Sequence, residues 1–171
     1  MSNVKLFKAL LAAAIVLLVI SMIVPEAQYN NSGGHSSLGA SYDLNLYYWG
    51  ANYHEIVKVF GFQKTSANTT FWWNENTNNN IVDYFLISLG GVIIGIIAAL
   101  GGIISGDEKK KESMRRATAI VSGMGSLLAV IFFAIGLNDF NSKASFTSNL
   151  YFGFFLTIGS LILSFVAAAT S

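Results

Sequence analysis

Residues 84–105 read YFLISLGGVIIGIIAALGGIIS, an apolar run without a single Asp, Glu, Lys, Arg or His. A helix needs roughly 20 such residues to cross a bilayer. Three further runs have that length, namely Leu6–Val24, Ala117–Leu137 and Leu150–Ala169, and Lys8 is the one charged residue among them. Charged residues make up 11% of the chain, too few to cover a soluble surface, because a soluble domain carries about 25%. The sequence therefore predicts four membrane-spanning helices.

The first run has a second interpretation as a cleaved signal peptide, because Lys5 and Lys8 precede its apolar part. Its exit, Pro25-Glu26-Ala27, is a poor cleavage site, since small residues are expected there. We therefore favour a retained helix.

Basic residues predict which side of the membrane each loop occupies. Lys5, Lys8 and the loop 106–116 hold seven of the ten Lys and Arg residues. Loops rich in Lys and Arg remain in the cytoplasm. We expect 106–116 and both termini inside, with a long loop, 25–83, and a short loop, 138–149, outside. The remaining segments are 1–24, 84–105, 117–137 and 150–171.

The long outer loop contains the pattern of a small sheet. The stretch YDLNLYYW (42–49) alternates apolar and polar residues, which predicts a strand. We expect two more strands, EIVKVFGFQK (55–64) and NTTFWW (68–73), joined by a hairpin turn at KTSAN. The polar stretch 28–41 predicts an irregular segment, and 144–151 could add a strand. The expected fold is an all-α transmembrane four-helix bundle that carries a small extracellular antiparallel sheet.

Several kinds of chemistry are not expected. The chain has no Cys, which excludes disulfides and thiolate metal sites. It contains no HExxH, Walker or GxSxG motif, so neither an enzyme nor a cofactor is predicted. His35 and His54 could hold a metal together with Asp43 and Glu55, but we favour the interpretation that they are ordinary loop residues. A net charge of +1 gives no reason to expect nucleic-acid binding.

Small residues recur at four-residue spacing in three of the predicted helices, which places them on one helix face and lets two backbones approach closely. This spacing predicts packing inside one bundle; dimerisation through the same faces is the alternative. The predicted packing residues are Gly91, Gly95, Gly102, Gly123, Ser160 and Ser164.

The aromatic residues of the outer loop are candidate contact residues. On the strand 42–49, Tyr47 and Trp49 lie on the face opposite Leu44 and Leu46, so we expect both to point outward. For Trp72 and Trp73 we favour a place in the sheet core; an anchor at the membrane interface and a protein contact are the alternatives. The proposed contact set is Tyr47, Tyr48, Trp49, Phe71, Trp72 and Trp73. Asn30 and Asn68 begin possible glycosylation sequons on the outer side.

The layout resembles the claudin and peripheral-myelin-protein-22-like superfamily of four-span membrane proteins. The stretch KKKESMRRATAIVSGMGSLLAVI (109–131) is similar to that family's basic, Gly-rich entry into the third helix. The resemblance implies a left-handed bundle with an extracellular sheet, lateral self-association and contacts between outer loops. The family's Gly-Leu-Trp signature and Cys pair are absent, so the family's loop disulfide is not expected.

These observations predict a non-enzymatic, multi-pass protein of the cell (plasma) membrane. We expect it to act in adhesion, in lateral assembly or as an accessory subunit of a membrane complex. Its expected partners are the lipid bilayer and either itself or another membrane protein. The alternative is a pore-forming or transport subunit.

Overall fold

The computed structural model describes residues 3–35, 38–59, 62–72, 80–105, 112–143 and 147–171, with the backbone alone at 31–35, 38 and 39. In this part of the chain, four helices are long and apolar enough to cross a membrane. They are α1 (Asn3–Ile23), α2 (Asn80–Ser105), α3 (Glu112–Lys143) and α4 (Phe152–Thr170). The prediction of four such helices and a small antiparallel sheet is confirmed.

The four helices form a bundle in which α2 packs along α3 and α1 packs along α4. Helix α3 also contacts α4, and α1 also contacts α2. Helices α2 and α3 approach closely where two glycines meet. A Cβ atom on Gly91 would lie 2.6 Å from the carbonyl oxygen of Gly125 and 2.8 Å from the backbone nitrogen of Ala129. No side chain fits there without separating the helices.

The other predicted packing residues also lie at helix contacts. A Cβ on Gly95 or Gly102 would meet Leu18 or Leu11 of α1, and one on Gly123 would meet the Phe165 ring of α4.

Buried serine hydroxyls join α3 to α4. The Oγ atoms of Ser122 and Ser164 are 3.1 Å apart, and those of Ser126 and Ser160 are 3.4 Å apart. Interhelical hydrogen bonds of this kind contribute about 0.6 kcal/mol on average in a membrane. Two such pairs, one helical turn apart, fix the register of α3 against α4.

The sheet has five antiparallel strands in the order β4-β3-β2-β1-β5. They are β1 (Ala27–His35), β2 (Leu38–Tyr47), β3 (Gly50–Val59), β4 (Phe62–Phe71) and β5 (Asn149–Leu150). The residue pairs Ala27–Leu46, Tyr47–Gly50 and Gly50–Phe71 set the register at the end nearest the bundle. Consecutive strands from β1 to β4 are therefore neighbours. Strand β5, which follows α3 in the chain, pairs with β1.

Three predictions for the outer loop are wrong. The stretch 28–41 is not irregular, because it forms β1 and the start of β2, whose backbones pair from Ala27–Leu46 to His35–Leu38. Pairing along a neighbouring strand outweighs the weak strand preference of Asn, Ser and Gly. The stretch 55–64 is divided between β3 and β4, so KTSAN lies inside β4. Strand β3 ends at Val59, and β4 begins at Phe62.

The first residues of the predicted loop 138–149 are helical, because α3 continues to Lys143. In this last turn, the Lys143 ammonium donates to the Asp139 carboxylate at 2.8 Å. The Asn141 side chain then exchanges two hydrogen bonds with the backbone of Ser148. These two hydrogen bonds, the Asn141–Ser148 clasp, lie immediately before β5. Within the described residues, β5 is the only part of the predicted strand 144–151 that is a strand.

Candidate interaction surface and the junction beneath the sheet

Strand β4 forms an edge of the sheet, and every residue from Phe62 to Thr69 is exposed. Its backbone pairs with β3 on one side, and no other strand of the described residues pairs with it on the opposite side. An open edge strand is a template for pairing with another chain. The sequence of β4, FQKTSANTTF, has one charged residue and no Pro, so little in it opposes such pairing.

A groove of about 460 Å³ lies at the end of the β3–β4 hairpin farthest from the Gly50–Phe71 pair. It is lined by Glu55, Val57, Val59, Phe62, Gln63, Lys64 and Ser66. The Phe62 side chain is 82% exposed, and Val59 is 41% exposed beside it. The groove therefore combines an apolar surface with one acidic and one basic side chain, which suits a protein partner better than a uniformly charged ligand.

The predicted contact residues nearest the bundle are mostly buried. Tyr47 is 9% exposed, and Tyr48 is inaccessible. Tyr48 lies in the two-residue turn between β2 and β3, where its ring packs edge-on against Phe133 of α3 and its hydroxyl donates to Thr157 of α4 at 2.9 Å. The expectation that Tyr47 points outward is wrong, because its side chain is buried beneath the stacked Trp49 ring.

Two tryptophans, Trp49 and Trp72, contact the helices at the junction between the sheet and the bundle. The Trp49 ring stacks on Tyr47 at 4.7 Å, and its indole nitrogen donates to the Met22 carbonyl at the end of α1. The buried Trp72 ring stacks on Phe85 of α2 at 4.8 Å and donates to the Tyr47 carbonyl. These contacts attach the sheet to the bundle.

The remaining members of the predicted contact set differ in position. Phe71 is 37% exposed and packs beside Trp49. Trp73 lies outside the described residues. Of the described members of this set, Phe71 and part of Trp49 are accessible to a partner. A larger exposed apolar surface lies at Phe62, which is outside the predicted set.

The structure also buries a carboxyl group that the sequence analysis did not single out. Glu26 follows Pro25 just beyond α1 and is inaccessible to solvent. Its backbone is held by two hydrogen bonds, from Glu26 N to Leu46 O and from Tyr151 N to Glu26 O. Neither side-chain oxygen accepts a hydrogen bond from the described residues.

The protonation of Glu26 follows from this burial. Loss of water raises the pKa of Glu26 from 4.5 to about 9, and the neighbouring Tyr48 hydroxyl offsets part of the shift. Burial likewise raises the pKa of Tyr48, and the Glu26 carboxylate adds to that increase. At neutral pH, Glu26 is therefore an uncharged acid. The one sequence feature that marks Glu26 is its position directly after an apolar span and Pro25.

The sequons and histidines lie on the sheet. Asn30 is on β1 opposite Asp43, with its amide oriented to donate to that carboxylate at 3.0 Å, and Asn68 is exposed on β4. His54 is on β3, opposite Asp43 on β2, and the His35 side chain lies outside the described part. Among the side chains described, no three His, Asp or Glu residues come together as metal ligands.

A comparison of the chain with known protein families and with curated proteins finds no match.

Proposed function

We propose that this chain is a non-enzymatic integral membrane protein of the cell surface that assembles with a second copy of itself through strand β4. Two copies in one membrane carry their sheets at the same height, so identical β4 edges can meet around a twofold axis. The observation that carries the proposal is the exposure of β4 along its length on a sheet that is firmly attached to the bundle. Such assembly would serve adhesion or a role as an accessory subunit.

The outer surface of the bundle supports membrane insertion. Apolar side chains remain exposed along it, including Ile104 at 79% and Ile97 at 64%. Contact of these apolar groups with lipid chains costs no free energy, whereas their contact with water is unfavourable. Among the described residues, Lys5, Lys8, Arg115 and Arg116 lie at the end of the bundle opposite the sheet, which favours the sheet as the extracellular part.

The orientation has a direct test, because the native chain lacks Cys and any introduced thiol reports alone. We expect a membrane-impermeant maleimide added to intact cells to label Asn68→Cys and to leave Lys110→Cys unlabelled until the cells are opened. Labelling of Lys110→Cys from outside would reverse the proposed orientation.

The assembly is tested by single Cys substitutions along β4 and oxidative cross-linking in the membrane. Pairing of β4 with its copy brings the two strands side by side, so we expect single Cys residues along β4 to give a higher dimer yield than a Cys away from the sheet. Asn138→Cys, exposed at the end of α3, is the control. Yields along β4 no higher than at Asn138 would refute the pairing, and ion flux through reconstituted oligomers would favour a pore instead.

A further inference from the structure

A second groove, of about 470 Å³, opens at the start of α3. Among the described residues it is lined by Glu112, Ser113, Arg116, Ala117 and Ile120, which share one face of the helix and are all exposed. Arg116 is the last charged residue before the apolar run 117–137. In the proposed membrane-inserted state, the charged half of the groove therefore lies at the membrane surface, and the apolar half lies at the depth of the lipid chains.

The apolar half continues along α3 as a stripe of side chains. Ile120, Met124 and Leu128 follow one another at four-residue spacing, and all three are exposed. Residues four apart lie one above the other on a helix, so the stripe extends for about 12 Å. At this depth a hydrocarbon chain is the group that covers such a surface.

The charged half of the groove presents one acid and one base. Glu112 and Arg116 are one helical turn apart, in the order that favours an ion pair on a helix. Within the part of the chain that the structure describes, however, no ion pair joins them, and the Arg116 Nε atom donates instead to the Ala168 carbonyl oxygen of α4 at 3.3 Å. Both charges thus stand on the groove wall without neutralising each other.

A ligand that complements this groove combines an anionic group for Arg116, a cationic group for Glu112 and an apolar chain for the stripe. Zwitterionic phospholipids have all three. A primary ammonium donates charge-assisted hydrogen bonds to a carboxylate, whereas a quaternary ammonium has no N–H to donate. The groove therefore suits phosphatidylethanolamine better than phosphatidylcholine. An anionic lipid such as phosphatidylglycerol has no positive charge to offer Glu112.

We propose that this groove binds one phosphatidylethanolamine molecule, with its phosphate on Arg116, its ammonium on Glu112 and an acyl chain along Ile120, Met124 and Leu128. The inference rests on the proposed membrane insertion and is independent of assembly through β4. Basic residues at a membrane surface by themselves attract anionic lipids. Preference for a zwitterionic headgroup therefore distinguishes this site from general electrostatic attraction.

The test is native mass spectrometry of the purified full chain, delipidated in a neutral detergent and given equal amounts of phosphatidylethanolamine, phosphatidylcholine and phosphatidylglycerol with identical acyl chains. We expect the phosphatidylethanolamine complex to exceed each of the others by up to about fivefold, the ratio that one exposed ion pair supplies. Equal binding of the three lipids, or an excess of phosphatidylglycerol, would overturn the proposal and leave membrane insertion intact. A chain recovered outside the membrane fraction would instead contradict the proposed function.

Two variants assign the preference to this groove, and thermal unfolding checks that each is folded. Glu112→Gln should abolish the preference for phosphatidylethanolamine over phosphatidylglycerol. Arg116→Gln should weaken the binding of all three lipids, because each carries a phosphate. Asp139→Asn, which removes a carboxylate at the opposite end of α3, is the control and should keep the preference. A preference that persists in Glu112→Gln would refute the site.

Discussion

Glu26→Gln is expected to stabilise the protein, and most strongly in alkaline solution. A Gln side chain keeps the size of Glu26 but carries no ionisable group, so the cost of burying a charge is absent at every pH. The folded state binds the Glu26 proton more tightly than the unfolded state, since its pKa is about 9 instead of 4.5. The favourable contribution of this proton is complete below pH 4.5 and is lost as the pH rises through about 9.

The size of the effect follows from the pKa difference, because each unit corresponds to about 1.4 kcal/mol and the full shift to roughly 6 kcal/mol. The measurement is the unfolding temperature in detergent across this pH range. The native chain should lose stability steadily, while Glu26→Gln should have a nearly flat profile. Glu55→Gln should follow the native chain. A flat native profile would show that Glu26 is hydrated in solution.

Gly91→Ala should have the second large effect, with the opposite sign. The added methyl group would lie 2.6 and 2.8 Å from backbone atoms of α3, which cannot rotate away as a side chain could. Helices α2 and α3 must then separate along their length, at a cost of about 2–3 kcal/mol.

The chain offers a matched control one residue away. A Cβ on Gly90 meets no atom within 4 Å, so Gly90→Ala should leave the unfolding temperature unchanged or raise it slightly, since Ala favours a helix more than Gly does. Equal loss of stability in both variants would mean that α2 is sensitive to any added volume, and that the contact with Gly125 is not the cause.

The helices could be predicted from the sequence because their cause is local. A run such as 84–105 is apolar throughout, and no tertiary contact is needed to recognise it. The ends were less predictable, because the last turn of α3 is polar and is held by the Asp139–Lys143 pair and the Asn141–Ser148 clasp.

The sheet was harder, because strand identity there depends on a partner strand. β1 contains Asn, Ser and Gly residues that favour turns, yet it pairs with β2 over its full length. The turn at Tyr48-Trp49 has the opposite character: its residues favour strands, and contacts with Phe133, Thr157 and Met22 hold them in a turn. Glu26 was missed for the same reason, since its burial is a property of the assembled junction.

The Tyr48-Trp49 turn also has a consequence for biogenesis. Its two anchors lie on either side of the sheet in the chain: Met22 precedes the sheet, whereas Thr157 belongs to α4, which is synthesised after α2 and α3. The strand that covers the start of β1, Asn149–Leu150, is also synthesised late. The outer sheet therefore cannot mature during translation of its own segment, and a chain truncated before α4 would present an unfinished sheet to quality-control proteases. Completion of the sheet thus requires α4 and β5 in addition to the segment that forms β1–β4.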